Sequence, residues 1–138
     1  MTRYLLDTNI VSELRRMQPN AGVRDWYDTI PQAELVVSVL TVGEIRYGIE
    51  RVRRRGDTEQ ADRLDEWLST LHEHFGDRIV PVDVATAQAW GRIRTIRSIP
   101  VIDALLTATC IAHDLTLVTR NVHDVADLGA RIVNPFES

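Results

Sequence analysis

Residues 5–10, Leu5-Leu6-Asp7-Thr8-Asn9-Ile10 (LLDTNI), place an apolar pair directly before a carboxylate. Together with Arg3 and Tyr4 they read as a first strand, Arg3–Leu6, ending on Asp7. Thr8 to about Arg16 then carries a short helical pattern, which stops ahead of Pro19. Strand, acid and helix in immediate succession open an alternating α/β chain. In open parallel sheets ligands bind beyond the carboxyl ends of the strands. An acid at that point either caps the next helix or belongs to a site. Which role holds depends on whether the rest of the chain brings other acids beside it.

Working outward, Asn20–Ile30 has helical spacing of Val23, Trp26, Tyr27 and Ile30, and Pro31 breaks it. Glu34–Val39 (ELVVSV) is a β-branched apolar run, hence a buried strand. A helix from Thr41 carries Val42, Ile45, Ile49 and Val52 on one stripe and runs into RVRRR at 51–55, with Gly56 as its stop. Asp57–Phe75 is a long amphipathic helix. Arg78–Val82 reads as a strand that Pro81 makes irregular or confines to an edge. Thr86–Arg97 and Val101–His113 are helices, the second opened by Ser98 and Pro100. Thr116–Thr119 is a strand, a helical turn lies around Asn121–Asp127, and Arg131–Val133 is a last short strand. This is one domain over residues 1–138, and strands alternating with helices are the signature of an α/β sandwich with a mainly parallel sheet.

Composition narrows the chemistry. A net charge of −4 argues against a uniformly basic protein that coats nucleic acid. All 16 basic residues are arginine, so Schiff-base, P-loop and receiver-type lysines are unavailable. The single cysteine, Cys110, excludes an internal disulfide and a cysteine-rich metal site, and its apolar helical setting reads as an inert buried thiol. No apolar run is long enough to span a membrane and no secretory signal opens the chain, so the cytoplasm is the expected compartment.

Four acids fall near strand ends. Asp7 ends the first strand. Glu44 lies in the first turn of the helix after the second, and Asp103 in the first turn of the helix that Pro100 opens. Asp124, with Asn121, follows TLVT. Each alone fits a bland role: a cap, a charge favoured by a helix dipole, a solvated turn residue. Together they repel, and they stay ionised only around a cation. An all-oxygen set without Cys or His suits Mg²⁺ or Mn²⁺ rather than zinc. The histidines show no metal-ligand spacing, and Trp26 and Trp67 read as core or interface.

LLDTNI, TVGEIRYG (41–48), IPVIDALLTATC (99–110), LVTRNVHD (117–124) and NPF (134–136) resemble, in order and spacing, the PIN-domain ribonucleases. Within that family they most resemble VapC-type toxins of bacterial toxin–antitoxin pairs. The resemblance implies the α/β/α sandwich, a divalent metal (Mg²⁺, with Mn²⁺ possible) and hydrolysis of RNA phosphodiesters. It carries Asp7, Glu44 and Asp103 onto the family acids. At the fourth position some relatives have Asp directly after TR, where this chain has Asn121; Asp124 is the substitute. Thr119 matches a hydroxyl residue of the family site. Asp7, Asp103 and Asp124 are thus expected at the metal, Glu44 as general base or water-orienting group, and Asn121 and Thr119 in support. Arg46, Arg94, Arg97 and Arg120, with Arg92, are candidates for RNA phosphates. Expected partners are an RNA substrate, a cognate VapB-like antitoxin whose basic residue would meet the acids, and a second copy in a homodimer. Val42, Ile45, Ile49 and Val52, with Leu64, Trp67, Leu68 and Leu71, are candidates for the antitoxin groove or for the core. The segment TIRSIPVI (95–102) is shorter than in many relatives. Two rivals remain: a phospho-acceptor domain, which would need a DxD pattern and a lysine, and a degenerate PIN-like module that binds RNA or protein without cutting.

Overall fold

Alternation along the strands divides the core in two. The computed structural model describes residues 2–137. On one side of the sheet Leu6, Leu35, Val37 and Val118 pack with Ile10, Val23, Ile45, Ile49, Leu68 and Leu71. On the other, Leu5, Val36 and Leu117 pack with Leu106, Cys110 and Val125. Successive strand residues point to opposite faces, so a short apolar run feeds both. The chain order is β1 (Tyr4–Leu6), α1 (Thr8–Arg15), α2 (Ala21–Thr29), β2 (Leu35–Ser38), α3 (Val39–Arg54), α4 (Thr58–Phe75), β3 (Ile79–Val80), α5 (Val84–Ile93), α6 (Val101–His113), β4 (Thr116–Val118), α7 (Val122–Val125) and β5 (Arg131–Val133). Helices α1 to α4 cover the first face. Helix α6 covers the second, with α5 stacked on it through small residues, Ala89 on Ala104 and Ala108. The three-layer α/β/α sandwich is the one the family resemblance implies, and the parallel sheet is the one the alternation of strands and helices predicts.

All five strands pair in parallel, in the order β3-β2-β1-β4-β5. From β1 the chain builds outward through β2 to β3, then returns to the other side of β1 for β4 and β5. The reversal falls between β1 and β4, and such a switch point leaves a crevice at the carboxyl ends of the two strands. Its walls are fixed: the Asp7 amide donates to the Val118 carbonyl at 2.9 Å, and the Thr119 amide to the Val133 carbonyl at 3.0 Å. Strand β3 does lie at an edge and stops before Pro81.

Two helix starts differ from the sequence reading through their caps. Ser38 accepts the Leu40 amide at 3.0 Å, so α3 begins at Val39 rather than Thr41 and Val39 leaves the strand. Asp83 accepts the Thr86 amide at 2.9 Å, so α5 begins at Val84; it ends at Ile93 rather than Arg97. Gly56 takes a positive φ of 92° where α3 turns into α4, a conformation that favours glycine. The same hairpin uses RVRRR: Arg53 pairs with Asp62 at 2.9 Å and Asp65 at 3.1 Å on α4. Cys110 is buried, and burial pushes its thiol up, away from the thiolate.

Candidate active site

Asp7 caps α1 and sits in the crevice at once. It is 6% exposed. Its Oδ1 accepts the Thr8 amide at 2.6 Å, while its Oδ2 accepts the Thr119 hydroxyl at 2.7 Å and the Asn9 side-chain amide at 3.2 Å. Donors alone converge on it, the environment of an anion. Burial nevertheless raises its pKa above the ordinary carboxylate value, outweighing those three hydrogen bonds. Thr119, fully buried at the end of β4, also accepts the Asn121 amide at 3.0 Å. Asn9 bridges the two strand ends, its Oδ1 accepting the Arg120 amide at 3.3 Å.

Asp7, Glu44, Asp103 and Asn121 line one open pocket of about 520 Å³, together with Thr8, Asn9, Ser12 and the first turn of α6. Helix α3 brings Glu44. Because that helix starts at Val39, Glu44 lies in its second turn and no acid occupies the first; the expected dipole position is corrected accordingly. Thr8 Oγ1 meets Glu44 Oε1 at 3.0 Å. Asp103 stands in the first turn of α6, as expected, behind Pro100. Asp124, half-buried on α7, opens toward a neighbouring hollow with Arg97 and His123.

Asp103 registers the whole cluster. Desolvation first, and then the charges of Asp7, Asp124 and Glu44, raise its pKa to about 6. Within the described hydrogen bonds none ends on its carboxylate, so nothing offsets these costs. Among the described residues no three His, Cys, Asp or Glu side chains are close enough to grip one ion directly. The donor set fits a strongly hydrated hard cation, which takes one or two carboxylates and keeps several waters.

The candidate arginines lie around the pocket rather than in it. Arg46 is engaged by Asp65 at 2.8 Å and Glu50 at 3.5 Å, beside a different hollow with Val39, Val42 and His72. Arg94 stacks on Trp90 at 4.5 Å, and with Arg97 it lines a hollow that shares Val101 with the acidic pocket. Arg97 donates to the carbonyls of Asp124 at 3.0 Å and Ala126 at 2.9 Å, pinning α7. Arg120 stacks on Phe136 at 4.6 Å, and Arg92 leans on Gln88. His113 pairs with Asp83 at 2.7 Å, away from any metal role. Of the candidate groove residues, Ile45, Ile49, Val52, Leu68 and Leu71 are buried core. Trp67 and Leu71 also border an apolar hollow of about 250 Å³ with Val11, Leu14, Tyr27 and Phe75. Sequence reasoning passed over Thr8, Asn9 and Thr41. For Thr8 and Asn9 the signal was the run of short polar side chains directly after a strand-ending acid; Thr41, inside an apolar stretch of α3, had no such signal.

Comparison with known proteins agrees with this geometry. A family model described as the PIN domain matches residues 4–127. The chain is 30% identical over 141 residues to the plasmid stability protein StbB of Pseudomonas syringae pv. tomato, covering 97% of this chain and 99% of that one. It is 30% identical over 142 residues to VapC ribonuclease Y4jK of Sinorhizobium fredii, covering 96% and 97%. The crystal structure of FitAcB from Neisseria gonorrhoeae superposes with a TM-score of 0.89 at 30% identity, over 98% of this chain and 99% of that one. A switch-point crevice lined by spaced acids and a family match across most of its length lead to one conclusion: the chain belongs to the PIN domain family.

Proposed function

We propose that this chain is a Mg²⁺-dependent endoribonuclease and the toxin of a toxin–antitoxin pair. The observation that carries the reading is the common pocket of Asp7, Glu44 and Asp103 at the sheet's switch point. A relative named VapC ribonuclease, and a similar protein named toxin FitB from Neisseria gonorrhoeae, point the same way. Asp7 and Asp103 would hold a hydrated divalent ion, and Asp124, whose charge acts on Asp103 from α7, would add to the negative field that attracts it. When bound, the ion lowers the pKa of a water and offsets charge on the scissile phosphate. Glu44, the acid most open to solvent, takes the proton from the attacking water. Thr119 and Asn9 hold Asp7 in place, and Asn121 lines the pocket at the position where some relatives have an acid. Arg94 and Arg120 flank the pocket and meet phosphates of the RNA strand; Arg46, tied to Asp65, and Arg97, tied to the Asp124 and Ala126 carbonyls, contribute field rather than contact.

The acids also define the partner. A basic residue from an antitoxin entering the pocket would neutralise the field acting on Asp103, and the apolar hollow beside Trp67 and Leu71 would seat an apolar side chain of the same segment. The exposed apolar side chains Tyr47, Val84 and Ile96 are candidates for contact with a second copy in a homodimer. No helix among the described residues is long and apolar enough to cross a membrane.

Mixed-sequence RNA incubated with the purified chain should be cut in Mg²⁺ or Mn²⁺ and left whole after a chelator is added. RNA bound but uncut at every metal concentration would favour the degenerate binding module instead. Asp124→Asn should reduce the rate by about 10- to 100-fold, the usual cost of losing a group that acts on a metal from outside its inner shell. Asn121→Ala should cost less, since the Asn121 contact that holds Thr119 is made by the backbone amide. Initial rates on a labelled RNA rank the two.

A further inference from the structure

Thr8 touches both acids that flank it. Its amide donates to Asp7 Oδ1 at 2.6 Å, and its hydroxyl lies 3.0 Å from Glu44 Oε1 and 3.1 Å from Thr41 Oγ1. A hydroxyl carries one proton, so it can donate to one of the latter pair only. Thr41 decides which. Its side chain is fully buried on α3, and among the described hydrogen bonds its hydroxyl meets Thr8 and no other group. A buried donor without a partner is costly, so the Thr41 proton points to Thr8 and the Thr8 proton goes to Glu44. The chain of hydroxyls therefore runs one way, from the core to the carboxylate.

Glu44 needs such a hold. It lies exposed in the second turn of α3, and no arginine among the described ion pairs engages it. Its neighbour Arg46 is turned to Asp65 and Glu50 instead. An exposed glutamate with three free torsions samples many positions, and few of them face the pocket.

We propose that Thr8 is a positioning residue: its amide and hydroxyl fix Asp7 and Glu44 at a set separation across the pocket, with Thr41 imposing the direction of the hydrogen bond. This rests on the ribonuclease reading of the same site. Thr8 thereby sets the spacing between the strand end that carries Asp7 and the helix that carries Glu44.

The test compares Thr8→Val, Thr8→Ala and Thr8→Ser on a labelled mixed-sequence RNA in Mg²⁺, each also in a Glu44→Gln background. Valine and alanine keep the amide and lose the hydroxyl; serine keeps both. The expected result is kcat lowered about tenfold by valine and by alanine, KM within about twofold, and most of the rate recovered by serine. In the Glu44→Gln background the loss of the Thr8 hydroxyl should cost nothing more, because the group it acts through is gone. Wild-type kcat in both hydroxyl-free variants, a change in KM alone, or an equal loss in both backgrounds overturns the proposal. Crystal structures of the variants give a readout independent of activity. Glu44 displaced in Thr8→Val and in place in Thr8→Ser supports positioning; Glu44 unmoved in Thr8→Val refutes it. If the wild type cuts no RNA, the ribonuclease reading fails, and the crystal structures still decide the role of Thr8.

Discussion

Asp7→Asn should abolish RNA cleavage, lowering kcat by about 10³-fold or more, the scale on which loss of a charge-stabilising group is felt. The substitution conserves shape and removes charge, so the loss would be electrostatic. It should not stabilise the fold, although Asp7 is buried and its pKa is raised. Three donors converge on the carboxylate, from Thr8, Thr119 and Asn9. An asparagine amide oriented to accept from the Thr8 amide must turn its own N–H groups toward the Asn9 amide, donor against donor. Relief of desolvation and loss of charge-assisted hydrogen bonds then oppose each other, and the melting temperature should stay near the wild-type value or fall slightly. Cleavage by Asp7→Asn at the wild-type rate, measured with a labelled RNA in Mg²⁺, would remove Asp7 from the mechanism. A clear rise in melting temperature would show that its hydrogen bonds count for less than its burial.

The contrast between Asp7 and Glu44 also marks how far the sequence was readable. LLDTNI was legible because an apolar strand, a cap and a helix start each leave a local signature, and all three agree on Asp7. Parallel pairing followed from alternation of strands and helices. The strand order did not, since nothing local says that β4 returns to the far side of β1, and only that return places Thr119 against Asp7. The start of α3 was misplaced because Val39 continues a β-branched run, while the deciding contact, Ser38 Oγ with the Leu40 amide, is a matter of two atoms. That shift moved Glu44 by half a turn and left it without the dipole assigned to it. The arginines were the least legible. Position beside an acid in sequence predicts phosphate contact, yet Arg46 is drawn off by Asp65, a residue of another helix, and Arg97 by two carbonyls at α7. Long flexible cations go to whichever acceptors the tertiary fold presents, and local pattern carries no information about those.

Asp103→Asn should also abolish cleavage by about 10³-fold, yet raise stability. No described hydrogen bond supports this carboxylate, and desolvation followed by the charges of Asp7, Asp124 and Glu44 lifts its pKa from 3.8 to about 6. A carboxyl whose folded pKa lies above its unfolded value binds more protons in the folded state between those values. Stability contributed by this group therefore declines as pH rises from about 4 through 6, and the ionised group is a net cost at neutral pH. The full shift would correspond to about 3 kcal/mol. Since Asp103 is only partly buried, solvent screening reduces this to roughly 1–2 kcal/mol. An uncharged asparagine at this position would be free of that cost, so the variant should melt several degrees higher at pH 7 without metal. At pH 4, where the wild-type carboxyl is protonated, the difference should vanish. Because the same group must be ionised to hold a cation, proton and metal compete for it. Wild-type cleavage should fall as pH drops below about 6, and added Mg²⁺ should move the midpoint to lower pH. Thermal melts of both proteins at the two pH values, with RNA cleavage by the wild type across the same range, measure these effects. An Asp103→Asn variant that melts below the wild type at neutral pH would mean that the cluster is held by attractions rather than strained by repulsion, and the case for a cation among these acids would lose its electrostatic basis.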